Sequence, residues 1–523
     1  MNRRDFIRIA GIGTVGFSAG LPLYAKMKSR RLPNIIYILA DDLGYGDVGC
    51  LNPKSRIQTP NLDRLAKQGM TFTDAHSNSA VCTPTRYGVL TGRYSWRTRL
   101  QSGVLKGHSK PLIPVDRITV PALLKQSGYA TACIGKWHLG MDWPTKDGEE
   151  AKLGLKNVDF NRDIQHNPLD LGFDYYYGIS ASLDMAPYVF IENRRVVQEP
   201  TIYVEKKSPV RKKLVHGREG WMVEEWNIYK VLPKFRDKSI EFIKDHVQQH
   251  QDQPFFLYLP LNSPHKPIAP NEEFRGKSEA GEYGDFVMET DDAIGQVLQT
   301  VEDAGIADNT LVIFTSDNGP ERIMYNIFEK YGHDGSAQYR GCKRDNWDGG
   351  HRIPFFVRWP SVIPAGSKSE EVICLTDLMA TAAAITDQTL PGTVGEDSVS
   401  ILPVLTGAKL TAPLHEAVVH HSSKGFFAIR QGEWKLLLHD GSGGNKYPDV
   451  VTGDIQLYNM AADEAETTNL AEQHPEIVQR LAKLMKKYVL VGRSTTGVPQ
   501  RNDAEDLWHQ LRRVKRMEKI LGW

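Results

Sequence analysis

A few short stretches of this 523-residue sequence carry residues that can hold a cation, act as a nucleophile or move a proton. Asp41 and Asp42 follow the β-branched run Ile35–Ala40. Lys136 and His138, in "GKWHLG", follow Tyr129–Ile134, and His265, in "NSPHKP", follows Pro254–Leu259. Asp317 and Asn318, in "SDNGP", follow Thr310–Thr315. One Asp after a strand is usually a turn or cap residue, so no single position carries the argument. Together, three aspartates and an asparagine are hard oxygen donors suited to Ca²⁺ or Mg²⁺ rather than zinc. Carboxylates gathered without a cation repel one another, and a metal is the simplest reason to bring them together.

A second stretch, "SNSAVCTPTRYGVLTGR", places Cys82 before Thr83-Pro84, a good helix start. Backbone N–H groups and the helix dipole favour anions there, which predicts an acidified, nucleophilic thiol. Arg86, one turn inside, is expected to point back to the same place. A third stretch, "DDLGYGDVGC", contains Gly44-x-Gly46-x-x-Gly49, the spacing of a dinucleotide fingerprint. Asp41 and Asp42 would repel a pyrophosphate, so the loop reads as a cation site whose glycines let the chain turn sharply away.

The elements that position these residues alternate. Strand candidates are Ile35–Ala40, Tyr129–Ile134, Pro254–Leu259, Thr310–Thr315 and Pro354–Trp359. Helix candidates are Pro60–Gln68, Val120–Gln126, Phe235–His250 and Phe286–Ala304. This alternation predicts an α/β fold with a mostly parallel sheet over residues 32–407. In such sheets ligands bind beyond the carboxyl ends of the strands, where these polar residues lie. Residues 183–226 form a basic, loop-like insertion with Lys206, Lys207, Arg211, Lys212, Lys213 and Arg218. From 411 to 523, short runs split by turn residues predict a smaller α+β subdomain with an antiparallel sheet and a helix near Pro475–Val489.

A hydrophobic content of 41%, a charged content of 24% and a formal net charge of +1 describe an ordinary globular protein with no global affinity for nucleic acid. Residues 1–25, with Arg3-Arg4 before a short apolar run, read as a twin-arginine export signal, and no segment of the mature chain is long enough to span a bilayer. Five cysteines are an odd number for an exported protein, and the pairing of Cys50, Cys133, Cys342 and Cys374 stays open.

The Cys82-Thr-Pro84-Thr-Arg86 pentapeptide resembles the C-x-P-x-R signature of type I sulfatases, in the alkaline-phosphatase-like superfamily. "DDLGYGD", "TPNLDRLAKQG", "GYATACIGKWHLG", "SDNGP" and "RGCKRDNWDGGHRIP" resemble that family's motifs in the same order, and "GEWKLL" and "LYNMAADEAETTNLA" resemble its C-terminal subdomain. The resemblance implies that a maturation enzyme converts Cys82 to formylglycine. It further implies one Ca²⁺ held by Asp41, Asp42, Asp317, Asn318 and residue 82. Arg86 and Lys136 would stand beside the formylglycine, His138 by its hydroxyl, and His265 and Lys343 at the sulfate and leaving oxygen. Cys342, directly before Lys343, has no implied role.

The implied activity is hydrolysis of sulfate esters in the periplasm or outside the cell. The basic insertion points to a sulfated saccharide, or is merely a solvated loop. Tyr94, Trp96 and Trp347 would either stack on sugars or belong to the core. The alternatives are a broad arylsulfatase, a phosphoester hydrolase of the same superfamily, a non-catalytic glycan-binding protein and, weakest, a dinucleotide oxidoreductase.

Overall fold

A computed structural model describes residues 31–207, 214, 217–447, 450 and 452–503. The export-signal reading, and Arg211, Lys212 and Lys213 of the insertion, lie outside the described residues.

The strand at Ile35–Ala40 forms as β1, Asn34–Asp41, in the middle of a ten-stranded sheet. Beside it run β2 (Ala130–Lys136), β3 (Phe255–Pro264) and β4 (Thr310–Ser316), in the spatial order β4-β1-β3-β2, all parallel. Tyr175–Ile179 continues the parallel set beyond β2, while Phe355–Arg358 pairs antiparallel with β4. The sheet is therefore mixed and mostly parallel, as expected. Its strands are apolar almost throughout because both faces are covered. Ile35, Tyr37 and Leu39 of β1 enter one core, whereas Ile36, Ile38 and Ala40 enter the other. Pro60–Gln68 and Val120–Gln126 fold as predicted.

Two predicted helices begin earlier than their sequence pattern indicated. Val231–Gln249 starts ahead of Phe235 because Val231 and Leu232 are themselves buried, and Gly281–Asp303 starts ahead of Phe286 with Tyr283 in the core. β3 runs on past Leu259 to Pro264, which carries its end to the level of β1. The insertion is more ordered than a plain loop: it holds two short hairpins, Ile191–Glu192 with Arg195–Val196 and Ile202–Val204 with Gly220–Met222.

The C-terminal region contains the antiparallel strands Val418–His421, Phe427–Gln431, Trp434–Leu437 and Gln456–Asn459, in that order, and the helix Pro475–Val491. Leu481, Met485 and Tyr488 of the helix share a core with Val419, Ile429 and Leu436. Tyr94 and Trp96 belong to this same core, and Trp347 packs with Leu437 and Tyr458. All three aromatic rings are buried, so they stabilise the fold and are not sugar-stacking platforms.

The glycines of "DDLGYGD" have a different reason from the one read off the sequence. The sharp turn is made by Asp42, whose φ is 66°. Gly44 and Gly46 instead admit a neighbouring segment: a Cβ on Gly44 would lie 2.1 Å from the Gly335 carbonyl oxygen, and one on Gly46 2.2 Å from that of Asp334. The Gly46 N–H donates to the Gly335 carbonyl at 2.7 Å. Because backbone must move to accept even a methyl group, Gly46→Ala is expected to destabilise the protein by about 1–3 kcal/mol or more in urea unfolding. A change within ~0.5 kcal/mol would show that the two segments can separate freely.

Candidate active site

The strand register places the chemistry. Ala40 pairs with Ser316 and Asp41 with Pro264, so β4, β1 and β3 end at one level, with neighbours about 4.8 Å apart. The residues that follow those ends, together with Lys136 at the end of β2, therefore converge. Asp41, Asp42, Asp317, Asn318 and Lys136 are all fully buried. Ligand oxygens of the three aspartates lie within 4.8 Å of one another.

Three cations balance these carboxylates. Lys136 Nζ donates to Asp41 at 2.5 Å, and Lys343 Nζ reaches both Asp42 oxygens, at 2.6 and 2.7 Å. Arg86 donates to Asp317 through Nε and Nη2 at 3.2 and 2.9 Å, and through Nη1 to the Lys136 carbonyl at 2.7 Å. Burial by itself raises the Asp41 pKa, but Lys136, then His265, Arg86 and Lys343, hold it well below the carboxylate range. Asp317 goes the other way: burial, then the Asp41 charge, pushes it up to about 7.

Two oxygens of this cluster, Asp41 Oδ1 and Asn318 Oδ1, are buried without a hydrogen-bond partner. The Asn318 amide nitrogen is committed to Asp42 at 2.8 Å, which fixes its oxygen as the free donor atom. Unpaired buried oxygens are costly, and hard oxygens left over among carboxylates are what a small divalent cation takes. The donor set thus fits such an ion.

Cys82 opens the helix α1, Cys82–Thr91, one residue ahead of the Thr83 start expected from sequence. Its backbone lead-in is clamped: Ser77 N donates to the His351 carbonyl, Ala80 N to that of His421, and Arg344 N to that of Ala80, at 2.8–3.1 Å. A ligand atom of Cys82 lies within 4.8 Å of those of Asp41 and His265. The expected acidified thiol is not found. Burial pushes the Cys82 pKa up, and Lys136 and Lys343 only partly oppose it.

His138 has a φ of 58° and is fully shielded, with Nε2 2.9 Å from the Leu105 carbonyl. A carbonyl only accepts, so Nε2 carries the proton and Nδ1, which has no partner, carries the lone pair. Burial, then Lys136 and Arg86, drives its pKa well down, so the ring is neutral. His265 places Nδ1 2.5 Å from the Lys266 carbonyl and Nε2 3.7 Å from Asp42. The residues expected from sequence to hold the metal or act in catalysis, Asp41, Asp42, Cys82, Arg86, Lys136, His138, His265, Asp317, Asn318 and Lys343, are thus brought to this one site.

Sequence reasoning missed the rim. Glu321, directly after "SDNGP", accepts a hydrogen bond from Arg344 Nη2 at 2.8 Å and pairs with Lys266 at 3.3 Å. Arg344 is in the left-handed region, φ 88°, next to Lys343. Only its adjacency to two motifs could have marked it. The buried Arg86 pair makes a direct prediction. Arg86→Ala leaves Asp317 unpaired and is expected to cost about 3–5 kcal/mol in urea unfolding with chelator present. A loss under ~1 kcal/mol would show that Arg86 does not balance the cluster.

Residues 33–388 match the family described as Sulfatase. The chain is 35% identical over 499 residues to an N-acetylgalactosamine-6-O-sulfatase of Bacteroides thetaiotaomicron, covering 88% of this chain and 93% of that protein. It is 31% identical to human arylsulfatase A, covering 93% and 94%. A solved 6S-sulf structure concerned with glycosaminoglycan metabolism by Bacteroides thetaiotaomicron superposes with a TM-score of 0.76 at 34% identity, covering 88% of this chain and 99% of that one. Ps i-CgsB in complex with k-i-k-neocarrahexaose shares the fold, with a TM-score of 0.68 at 24% identity and coverage of 94% and 100%. The chain belongs to the sulfatase family and is a sulfatase, an enzyme that hydrolyses sulfate esters.

Proposed function

We propose that this sulfatase removes sulfate from a sulfated saccharide, using a formylglycine made from Cys82 and one Ca²⁺ held by Asp41, Asp42, Asp317, Asn318 and residue 82. The observation that carries the reading is the pair of unpartnered oxygens, Asp41 Oδ1 and Asn318 Oδ1, beside a residue at a helix N-terminus. Bound there, Ca²⁺ would supply positive charge for the sulfate oxygens, and hydrated formylglycine would supply a nucleophilic hydroxyl and a second one for releasing sulfate.

The remaining roles belong to this chain's own side chains. Lys136, Lys343 and the α1 N-terminus neutralise charge on the non-bridging oxygens of the substrate. Arg86 holds Asp317 and the end of β2 in place. His138, neutral and with its Nδ1 lone pair free, takes the proton that frees sulfate. Burial, then Lys343, lowers the His265 pKa, whereas Asp42 keeps Lys343 well above the usual lysine value despite its burial. Lys343 is therefore the donor already charged before substrate arrives, and His265 takes a proton from solvent when the negatively charged sulfate binds beside it.

The saccharide assignment rests on the relatives, whose names give an N-acetylgalactosamine 6-sulfate ester and glycosaminoglycans, and on their coverage of nearly the whole chain. Lys206 and Lys207 of the basic insertion are exposed, while Arg218 is paired with Asp184 at 2.8 Å. Among the described residues no helix is long and apolar enough to cross a membrane. Export through residues 1–25, after modification of Cys82 by a separate maturation enzyme, completes the reading.

Four measurements test it. Mass spectrometry of the peptide spanning Cys82, from protein made with a maturation enzyme, should show the mass lost when a thiol side chain becomes an aldehyde. Cys82→Ser should lower kcat by roughly 10⁴-fold or more, the scale of losing a covalent nucleophile. Asp42→Asn should abolish retention of Ca²⁺ after gel filtration, with activity falling in parallel. On substrates, a 6-sulfated N-acetylgalactosamine saccharide should be turned over with higher kcat/KM than an aryl sulfate. Turnover of the aryl ester alone would overturn the saccharide assignment, and unmodified Cys82 in fully active protein would overturn the formylglycine.

A further inference from the structure

Behind the Cys82 lead-in lies a cluster the reaction does not use. His76, His351 and His420 are all fully buried, and one ring nitrogen of each lies within 4.8 Å of the others. The three come from distant parts of the chain. His76 ends the short strand Ala75–His76, His351 follows the "DGG" turn, and His420 lies in the C-terminal strand Val418–His421.

Their hydrogen bonds fix where the protons are. His76 Nε2 faces the Asp74 carboxylate at 2.6 Å. His351 Nε2 faces the Asn346 carbonyl at 3.0 Å, and His420 Nδ1 faces the Ser77 carbonyl at 3.1 Å. Carboxylates and carbonyls only accept, so His76 Nε2 and His420 Nδ1 are the protonated nitrogens, and His351 Nε2, which also has Lys435 Nζ at 3.2 Å, is protonated in the tautomer that donates to Asn346. In the neutral rings the opposite nitrogens carry the lone pairs. Those of His76 and His351, both Nδ1, face each other at 3.0 Å, and His420 Nε2 has no partner. Two lone pairs at that distance repel unless something positive joins them.

We infer that His76, His351 and His420 form a second metal site, separate from the hard-oxygen cluster, that takes a divalent transition ion of the Zn²⁺ class. Three neutral imidazoles are the donors such ions prefer, and calcium does not use them. The outer partners match as well. A ligating histidine usually gives its other N–H to a carboxylate or carbonyl, and all three rings here face one.

The surrounding charges are paired. Lys435 lies 3.2 Å from His351 Nε2 and is also held by Asp348 and Glu466, each at 2.7 Å. Arg430, 3.3 Å from His76 Nε2, is held by Asp74, which with Asp348 also holds Arg352. The rings of His351 and His420 stack with centroids 3.9 Å apart and planes 11° apart. Donors around tetrahedral zinc stand about 3.4 Å from each other, so His420 must tilt out of the stack by a movement on the order of 1 Å. The bound ion would fasten the C-terminal sheet to the segment that leads, six residues on, into Cys82.

The test uses the full-length protein, stripped with chelator, refilled with Ca²⁺ and then titrated with ZnCl₂. One Zn²⁺ per chain is expected to survive gel filtration, with an absorption-edge spectrum showing three imidazole ligands. Co²⁺ in its place should give intense visible bands. His420→Gln should lose the ion, with Kd raised more than ~100-fold, and Asp74→Asn should weaken it about 10–100-fold, while Ca²⁺ content stays at the wild-type level. A His246→Gln/His250→Gln double variant should bind like wild type. Wild-type protein that retains no Zn²⁺, or zinc binding lost in the double variant and kept in His420→Gln, would overturn the site. In the first case a shared proton is what joins His76 to His351. The edge spectrum on wild type decides the matter even where a histidine variant does not fold.

Discussion

The structure depends on keeping three carboxylates, Asp41, Asp42 and Asp317, together out of contact with water. Their ligand oxygens lie within 4.8 Å of one another and none is exposed. Like charges so close in a low-dielectric interior are tolerated only if compensated on the spot. Lys136, Arg86 and Lys343, buried with them, provide that compensation. A parallel sheet suits the task because its strands all end on one side, so four neighbouring strands deliver charged residues to a single point.

The scaffold around that point is correspondingly rigid. Backbone bonds from His351, His421 and Arg344 clamp Ser77 and Ala80, so the position of Cys82 is set before any substrate arrives. The same burial raises its thiol pKa, which makes the unmodified side chain a poor nucleophile. The site's chemistry accordingly belongs to a modified residue 82 in the proposed reading, and the protein's contribution is placement and charge. Tight approach of backbone to backbone recurs: a Cβ on Gly319 would lie 1.9 Å from the Gly349 carbonyl, where the Asn318 turn meets the loop that carries Lys343.

Much of this was legible in the sequence because it is local. A β-branched run followed by Asp-Asp marks a strand and its end without reference to the rest of the chain, and Pro60 to Gly69 marks one helix in full. Where tertiary packing takes over, local reading failed. The Gly44 and Gly46 positions looked like a phosphate loop or a turn, yet they exist because Gly335 and Asp334 pass against them from far along the chain. Tyr94, Trp96 and Trp347 carry nothing in their own neighbourhoods that separates a core ring from a sugar platform. The C-terminal sheet decides it by covering them. Nor could the thiol's pKa be read locally, since desolvation depends on everything packed around it.

By itself, the sequence picked out the candidate residues and placed several of them at strand ends, because residue type and hydrophobic period are properties of short segments. Only the tertiary structure decided what each does to the others. The partner of each charge, the nitrogen of His138 left with a lone pair, and the meeting of His76, His351 and His420 follow from contacts between segments up to hundreds of residues apart. Those contacts exist only once the sheet has brought the segments together, and the energies of burial and pairing they set are the ones that tune the site.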